Sequence, residues 1–267
     1  MKKLIHHVSV ELYKTLCNRS FLLCAIITCL LCFTSTVYTD SLDGKEYTVL
    51  EIITGGSKFD FLSFTSYDIL QLSVNPYVTL FLPVLSSIPF VTAFCAERSC
   101  GNIRFTVTRI GKYRYCIVKF ITALLSGGTA VLSGYAVFGL LICTFFPNPE
   151  QILSAYIKFL IGMGIYGAVS VLPAFLLSPF TANQYIICCF PFIFMNFYFI
   201  AVAKIQSMLL TSNHPDLFMK IDFLYPNVLK DTLFHMNAGA LVYHAVLTIA
   251  VFTGFTWVMN RRLDYGQ

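Results

Sequence analysis

Residues able to do chemistry are sparse in this sequence, and their spacing argues against most of the chemistry each type suggests. Ten cysteines would suit a disulfide scaffold or a thiolate metal site. However, Cys17, Cys24, Cys29, Cys32, Cys143, Cys188 and Cys189 fall in or beside apolar runs, while Cys95, Cys100 and Cys116 flank a basic stretch. Cys188 and Cys189 are neighbours that diverge on a helix, with no His close by. The cysteines therefore read as small apolar packing residues. His6 and His7 diverge in the same way and read as a solvated polar helix face. Strings of the H-E-x-x-H and G-x-S-x-G types are missing, and Gly55-Gly56-Ser57-Lys58 has the wrong spacing for a phosphate loop. The chain is expected to bind no metal or cofactor directly and to hydrolyse no ATP by itself.

The elements that carry these residues are apolar. Of the 267 residues 57% are hydrophobic and 12% charged, with 26 Phe, 15 Tyr and a mean hydropathy of +0.74. A water-soluble domain carries about twice that share of charge, and a disordered chain far fewer aromatics. Runs long enough to span a bilayer lie at 21–37, 77–95, 117–146, 152–177, 184–203 and 240–259. The expected fold is an all-α membrane protein, one domain over 1–267 with six transmembrane helices. Residues 1–18 precede them as an amphipathic helix with Leu4, Ile5, Val8 and Leu12 on its apolar arc and Glu11 and Lys14 on its polar face, a pattern that lies in the membrane interface. Gly127, Gly128, Gly134, Gly139, Gly162, Gly164 and Gly167 allow helices three and four to approach closely. Pro83, Pro89, Pro173 and Pro191 should bend their helices.

Charge gives the orientation. The side holding both termini carries twelve Lys and Arg against three acids; the other side has six against ten. Positive residues are retained in the cytoplasm, so both termini are expected there, in a multi-pass cell-membrane protein. The uncharged loop 178–183 is placed inside by alternation alone. Two outer loops, 38–76 and 204–239, carry apolar patches, Phe59, Phe61, Leu62, Phe64 and Ile221, Phe223, Leu224, Tyr225, that suit short interfacial helices. A basic cluster bounded by two spanning helices speaks against nucleic acid.

Within the spans, carboxylates that could carry protons or cations are lacking, which disfavours an ion-coupled transporter. Lys158 and His244 are the exceptions, near the outer ends of their spans and read as snorkelling to the headgroups.

The most patterned segment is the inner loop at 97–116. Arg98, Arg104, Arg109, Lys112 and Arg114, with Lys119 just beyond, suit an anionic leaflet, whereas Ile103, Phe105, Val107 and Ile110 offer apolar contacts that lipid does not demand there. A short helix presented to a soluble partner accounts for both, although positive-inside anchoring alone also fits.

Glu97, Gly101 four residues on, the run Ile103–Val107, Thr108-Arg109, Lys112 and Lys119 together resemble the first cytoplasmic loop of the permease subunits of type-2 ABC exporters. The frequent Pro of the turn is replaced by Ile110-Gly111, about one residue shorter. The resemblance covers the whole chain: amphipathic elbow helix, six spans and short inner tails. It implies a dimer of six-span subunits, the second being the same or a homologous chain, in contact with membrane lipid and with separate ABC-type ATPase subunits that hold ATP and Mg. It also implies that Glu97, Gly101, Ile103, Arg104, Phe105, Val107, Arg109 and Lys112 form the ATPase-coupling segment. The function so implied is outward transport of an amphipathic or apolar cargo such as a peptide, drug or lipid-like molecule. A non-transporting membrane anchor or interaction protein is the alternative from another class.

Overall fold

A computed structural model describes residues 2–39, 44–55, 64–147, 152–211, 221–225, 228–229 and 238–264. Helix α1 (Lys2–Leu16) meets α2 (Arg19–Phe33) at a 61° bend. A hairpin of β1 (Thr36–Thr39) and β2 (Glu46–Thr48) follows, then the short helices α3 (Val49–Gly55) and α4 (Ser66–Leu72). The bundle continues with α5 (Pro76–Ser99), α6 (Asn102–Ile110), α7 (Lys112–Phe145), α8 (Ile152–Ser170), α9 (Leu172–Leu177) and α10 (Gln184–Thr211). It ends with a 3-10 turn at Ile221–Leu224 and α11 (Ala238–Asp264).

Among the described residues five segments are long and apolar enough to cross a bilayer, α5, α7, the α8–α9 path, α10 and α11, and the bent pair α1–α2 makes a sixth if it is counted as one span. Helix α2 was expected to run to Val37 but stops at Phe33, where Thr34 caps it and the chain turns into the hairpin. Its 15 residues span only about 22 Å at 1.5 Å per residue, against about 30 Å of hydrocarbon. Other boundaries also move. Helix α7 starts five residues before the expected span, and α10 runs on to Thr211, taking Lys204 into the helix.

The direction in which side chains face identifies the solvent. Helix α2 buries Cys24, Thr28, Cys29 and Cys32 and exposes Leu22, Leu23, Ile26, Ile27 and Leu30. Helix α7 buries Gly127, Gly128, Ala130 and Gly134 and exposes Leu125, Val137, Leu140 and Leu141. Small residues inside and large apolar ones outside is the pattern of helices that associate by close contact in lipid, where burying Leu gains nothing. The chain is an all-α membrane protein.

Helix α7 is the spine, packing most extensively on α8, then on α2, α5 and α1. A Cβ added at Gly128 would come within 2.7 Å of the Gly164 carbonyl oxygen, and one at Gly134 within 2.5 Å of Thr28 Cβ. The glycines are therefore what let α7 touch α8 and α2; close approach was expected of them, and the structure supplies the partners. Two apolar clusters stack along the bundle. One holds Val78, Leu82, Tyr135, Phe138 and Phe159 beneath α3 and α4. The other holds Phe90, Phe94, Tyr115, Phe175 and Phe255 at the end nearer α6.

Prolines act differently from one another. Helix α5 is one continuous element through Pro83 and Pro89. Pro83 has no N–H for the Thr79 carbonyl, and the buried Tyr166 hydroxyl donates to that carbonyl at 3.1 Å. A partner from α8 thus replaces the lost intrahelical bond. Pro173 lies where the expected fourth span breaks into α8 and α9.

The segments 38–76 and 204–239 hold short helices, α3, α4 and the 3-10 turn, together with strands. Tyr38 pairs with Tyr47 across the hairpin, their rings stacked at 6.1 Å. Thr65 and Asp68 close a capping box on α4. Phe64 packs on the first cluster, whereas Phe59, Phe61 and Leu62 lie outside the described residues. In the later loop the Tyr198 hydroxyl donates to the Leu224 carbonyl at 2.7 Å, and Phe199 stacks on Tyr225 at 5.9 Å.

Gly128→Leu should overpack the α7–α8 contact and cost roughly 1–3 kcal/mol, read as a lowered unfolding midpoint in detergent. An unchanged midpoint would mean that these helices do not meet there.

Candidate functional site

Helix α6 is suspended between two glycines. Gly101 holds a left-handed conformation at φ +68°, and Gly111 takes φ 89° and ψ 147°, a region that only glycine enters at low cost. Nothing lies within 4 Å of a Cβ placed at either, so glycine is needed for backbone conformation and not for space. The two turns reverse the chain twice within eleven residues and set α6 across the ends of α5 and α7.

Its apolar residues divide into two sets. Val107 is buried and Ile103 half-buried against Phe94, Cys95 and Tyr115. These two lie one turn apart and hold the helix to the bundle. Phe105 faces outward, 69% exposed. Arg104, Arg109 and Lys112 are exposed as well. Among the eight expected coupling residues Val107 is the buried one, its side chain fastening α6 to the bundle. Beside the helix runs a groove of about 900 Å³ lined by Ile103, Arg104, Phe105, Lys112, Pro179 and Arg262.

Behind α6 lies a buried charge cluster. The Lys119 ammonium donates to Glu97 Oε2 on α5 and to Glu11 Oε2 on α1, the latter at 2.5 Å. Lys14 adds a bond to Glu11 Oε1 at 2.8 Å. The Lys119 side chain is 3% exposed and its two carboxylate partners about a tenth exposed. Lys119 was expected to open the third span; it sits two turns inside α7, between helices, and its charge there needs both acids. Desolvation would raise the Glu11 carboxyl, but the adjacent Lys119 and Lys14 overrule it and hold its pKa below the ordinary 4.5. That depressed value makes the contact fully effective at neutral pH and lets it fade only as pH falls through the lowered pKa.

This cluster corrects the reading of α1. Glu11 was placed on the solvated face, yet it is 7% exposed, with Thr15 buried beside it. Leu4, Val8 and Leu12 are half-buried on the same side, whereas Ile5, Val10 and Tyr13 face outward. Helix α1 is therefore bound to α7 and α5 through a polar seam, and of the four expected anchors only Ile5 is fully free to enter lipid.

Arg98 carries a role that went unseen. Its guanidinium donates to the carbonyl oxygens of Thr181 at 2.8 Å, Ser178 at 3.1 Å and Pro179 at 3.4 Å. The uncharged loop 178–183 thus lies at the α6 end of the bundle, where Arg262 from the end of α11 also reaches the Phe180 carbonyl at 3.4 Å. Helix α1, helix α6, this loop and the end of α11 share one end of the molecule.

Two further residues can be placed. Lys158 is exposed. His244, expected to snorkel, is instead 3% exposed, packed against Tyr243. Cys24, Cys29, Cys32, Cys95 and Cys116 are buried as packing residues; Cys17, Cys100 and Cys189 are exposed. Among the described residues no group of three His, Cys, Asp or Glu is arranged to hold a metal.

One signal could have found the triad from sequence: Glu11 is the only acid in the first 39 residues, and Lys119 stands alone inside an apolar run. Nothing local marked Arg98, whose partners are backbone carbonyls some 80 residues away. Compared with known proteins, the sequence matches no family model and no curated protein.

Lys119→Met should leave two buried carboxylates facing each other and destabilise the α1–α5–α7 junction by roughly 3–5 kcal/mol. Adding Glu11→Gln to that variant should recover part of the loss, measured by denaturant titration in detergent. A second outcome concerns acid: a label at Tyr13 should stay close to α7 at pH 7 and separate only below the ordinary carboxylate range, with Glu11→Gln abolishing the transition.

Proposed function

We propose that this chain is the membrane-spanning permease subunit of an ATP-driven exporter, and that a separate ABC-type ATPase subunit grips it at α6. The observation that carries this reading is the form of α6 itself. A nine-residue amphipathic helix, hinged by glycine at both ends, buries one apolar pair and presents Phe105 among Arg104, Arg109 and Lys112. An exposed aromatic ringed by cations suits an anchor for a protein pocket with an acidic rim, and the spanning sequence has no phosphate loop of its own.

The charge triad explains how a push on α6 would travel. Helix α6 joins α5 to α7 directly, and Lys119 ties both to α1, so a load applied at Phe105 is shared by three helices. In this reading α2, bent against α1, supplies the sixth crossing, the termini and α6 face the cytoplasm, and two such subunits enclose a path for an amphipathic or apolar cargo. Carboxylates are lacking from the middle of the spans, Glu97 lying at the end of α5, which favours an ATPase over an ion gradient as the energy source.

Phe105→Asp should abolish at least nine-tenths of the ATP hydrolysis that co-purifies with the chain while leaving insertion and thermal stability unchanged, since Phe105 packs on nothing inside. Undiminished hydrolysis in that variant would sink the docking role. Val107 is unsuitable for the same test because its loss loosens α6. Sidedness can be checked on the native Cys100, exposed beside α6: a membrane-impermeant maleimide should label it in inside-out vesicles and not in intact cells. Labelling from outside would put α6 on the wrong face.

A further inference from the structure

A small cavity lies within the bundle, away from α6, where α9, α10 and α11 meet. It measures about 120 Å³, and its wall includes Pro173, Leu176, Phe190, Phe194, Tyr198 and His244. The wall is almost wholly carbon. Pro173, in the first turn of α9, forms part of the cavity wall.

His244 sets this cavity apart from a packing defect. The ring is 3% exposed, and neither nitrogen has a hydrogen-bond partner among the described residues. The backbone of Tyr225 lies beside the ring without hydrogen-bond geometry; even granting it one nitrogen, a neutral imidazole has both a donor and an acceptor to satisfy. Tyr198, the other polar residue on the wall, is already engaged with the Leu224 carbonyl at 2.7 Å and the Tyr243 hydroxyl at 3.1 Å. An orphaned polar group in this setting costs about 1–3 kcal/mol, so a ligand that pairs with it has a specific gain to make.

Size and polarity select that ligand. Water is a poor occupant, for it needs two to four polar partners and the wall offers one with spare capacity. An acyl chain matches the carbon wall but leaves the imidazole unpaired. The cavity is partly open, so its volume of about 120 Å³ seats no more than a single ring, with any remainder of the molecule lying outside. The occupant that satisfies wall and histidine together is a ring bearing one hydroxyl. A turn of the imidazole about its soft terminal torsion brings a nitrogen to the hydroxyl.

We infer that the α9–α10–α11 cavity binds a phenolic group through His244, either as a free small phenol or as the phenolic end of a larger amphipathic molecule. Phe194, 41% exposed on the bundle surface, marks the side from which such a molecule enters. The site is independent of the exporter reading, because binding requires no ATPase; a failure here leaves the α6 experiments untouched, and the reverse.

The test uses the purified full chain in detergent, with imidazole nitrogens observed by NMR. p-Cresol should shift the His244 signals and bind roughly tenfold tighter than toluene, the same ring without the hydroxyl. His244→Phe should keep ring volume and fold but bring the two affinities together, and Leu176→Trp, which fills the cavity, should abolish both. Displacement of p-cresol by 4-octylphenol assigns the end of a larger molecule; failure to displace assigns the free phenol. Equal binding of p-cresol and toluene to the unaltered chain, unmoved His244 signals, or discrimination that survives His244→Phe would each overturn the proposal.

Discussion

Polar groups buried in this bundle have no water to fall back on, and that constraint explains more of the structure than any apolar contact does. In hydrocarbon an unpaired backbone carbonyl or charge costs several kcal/mol, while an exposed leucine costs nothing. The chain answers with long-range pairings. Tyr166 on α8 serves the Thr79 carbonyl that Pro83 on α5 releases. Tyr156 donates to the Ala136 carbonyl of α7 at 2.8 Å. Arg98 gathers three loop carbonyls, and Lys119 sits between two carboxylates. Each of these joins elements that apolar packing alone would leave free to slide.

The same constraint shapes the proposed site. Helix α6 owes its position to two apolar residues turned inward and to two glycines that reverse the chain. The triad behind it ties α1 and α5 to α7. Because Lys119 is shared between α1 and α5, α1 is a third strut in the junction, bound by charge on one side and exposing Ile5, Val10 and Tyr13 on the other. His244 is an exception, as are the Tyr115 and Thr122 hydroxyls; what distinguishes His244 is that it also lines a cavity.

Helix approach is the other half of the account. Gly127, Gly128, Gly164 and Gly167 allow backbone to meet backbone between α7 and α8, the most extensive helix contact among the described residues. Such interfaces gain from van der Waals contact, since lipid offers no hydrophobic drive to bring helices together. Large side chains therefore need not be buried: Phe90, Phe138 and Phe175 fill the clusters, while Leu22, Leu140 and Ile249 face outward. That is why helices α10 and α11, rich in exposed Phe, Ile and Val, remain the least covered by the rest of the chain.

Composition and periodicity by themselves determined the solvent, the helical class, five of the spanning segments and the position of α6, because these depend on local hydropathy, glycine placement and the length a bilayer requires. They also identified which glycines permit close contact. Tertiary structure alone decided that α2 stops short at Phe33, that Glu11 is buried, that Val107 holds and Phe105 presents, and that Arg98 ties down the uncharged loop. All four depend on what a side chain or helix end meets across a gap of many residues. An amphipathic pattern tells which residues share a face; it does not tell whether a charged residue on that face meets water or a lysine 108 positions away.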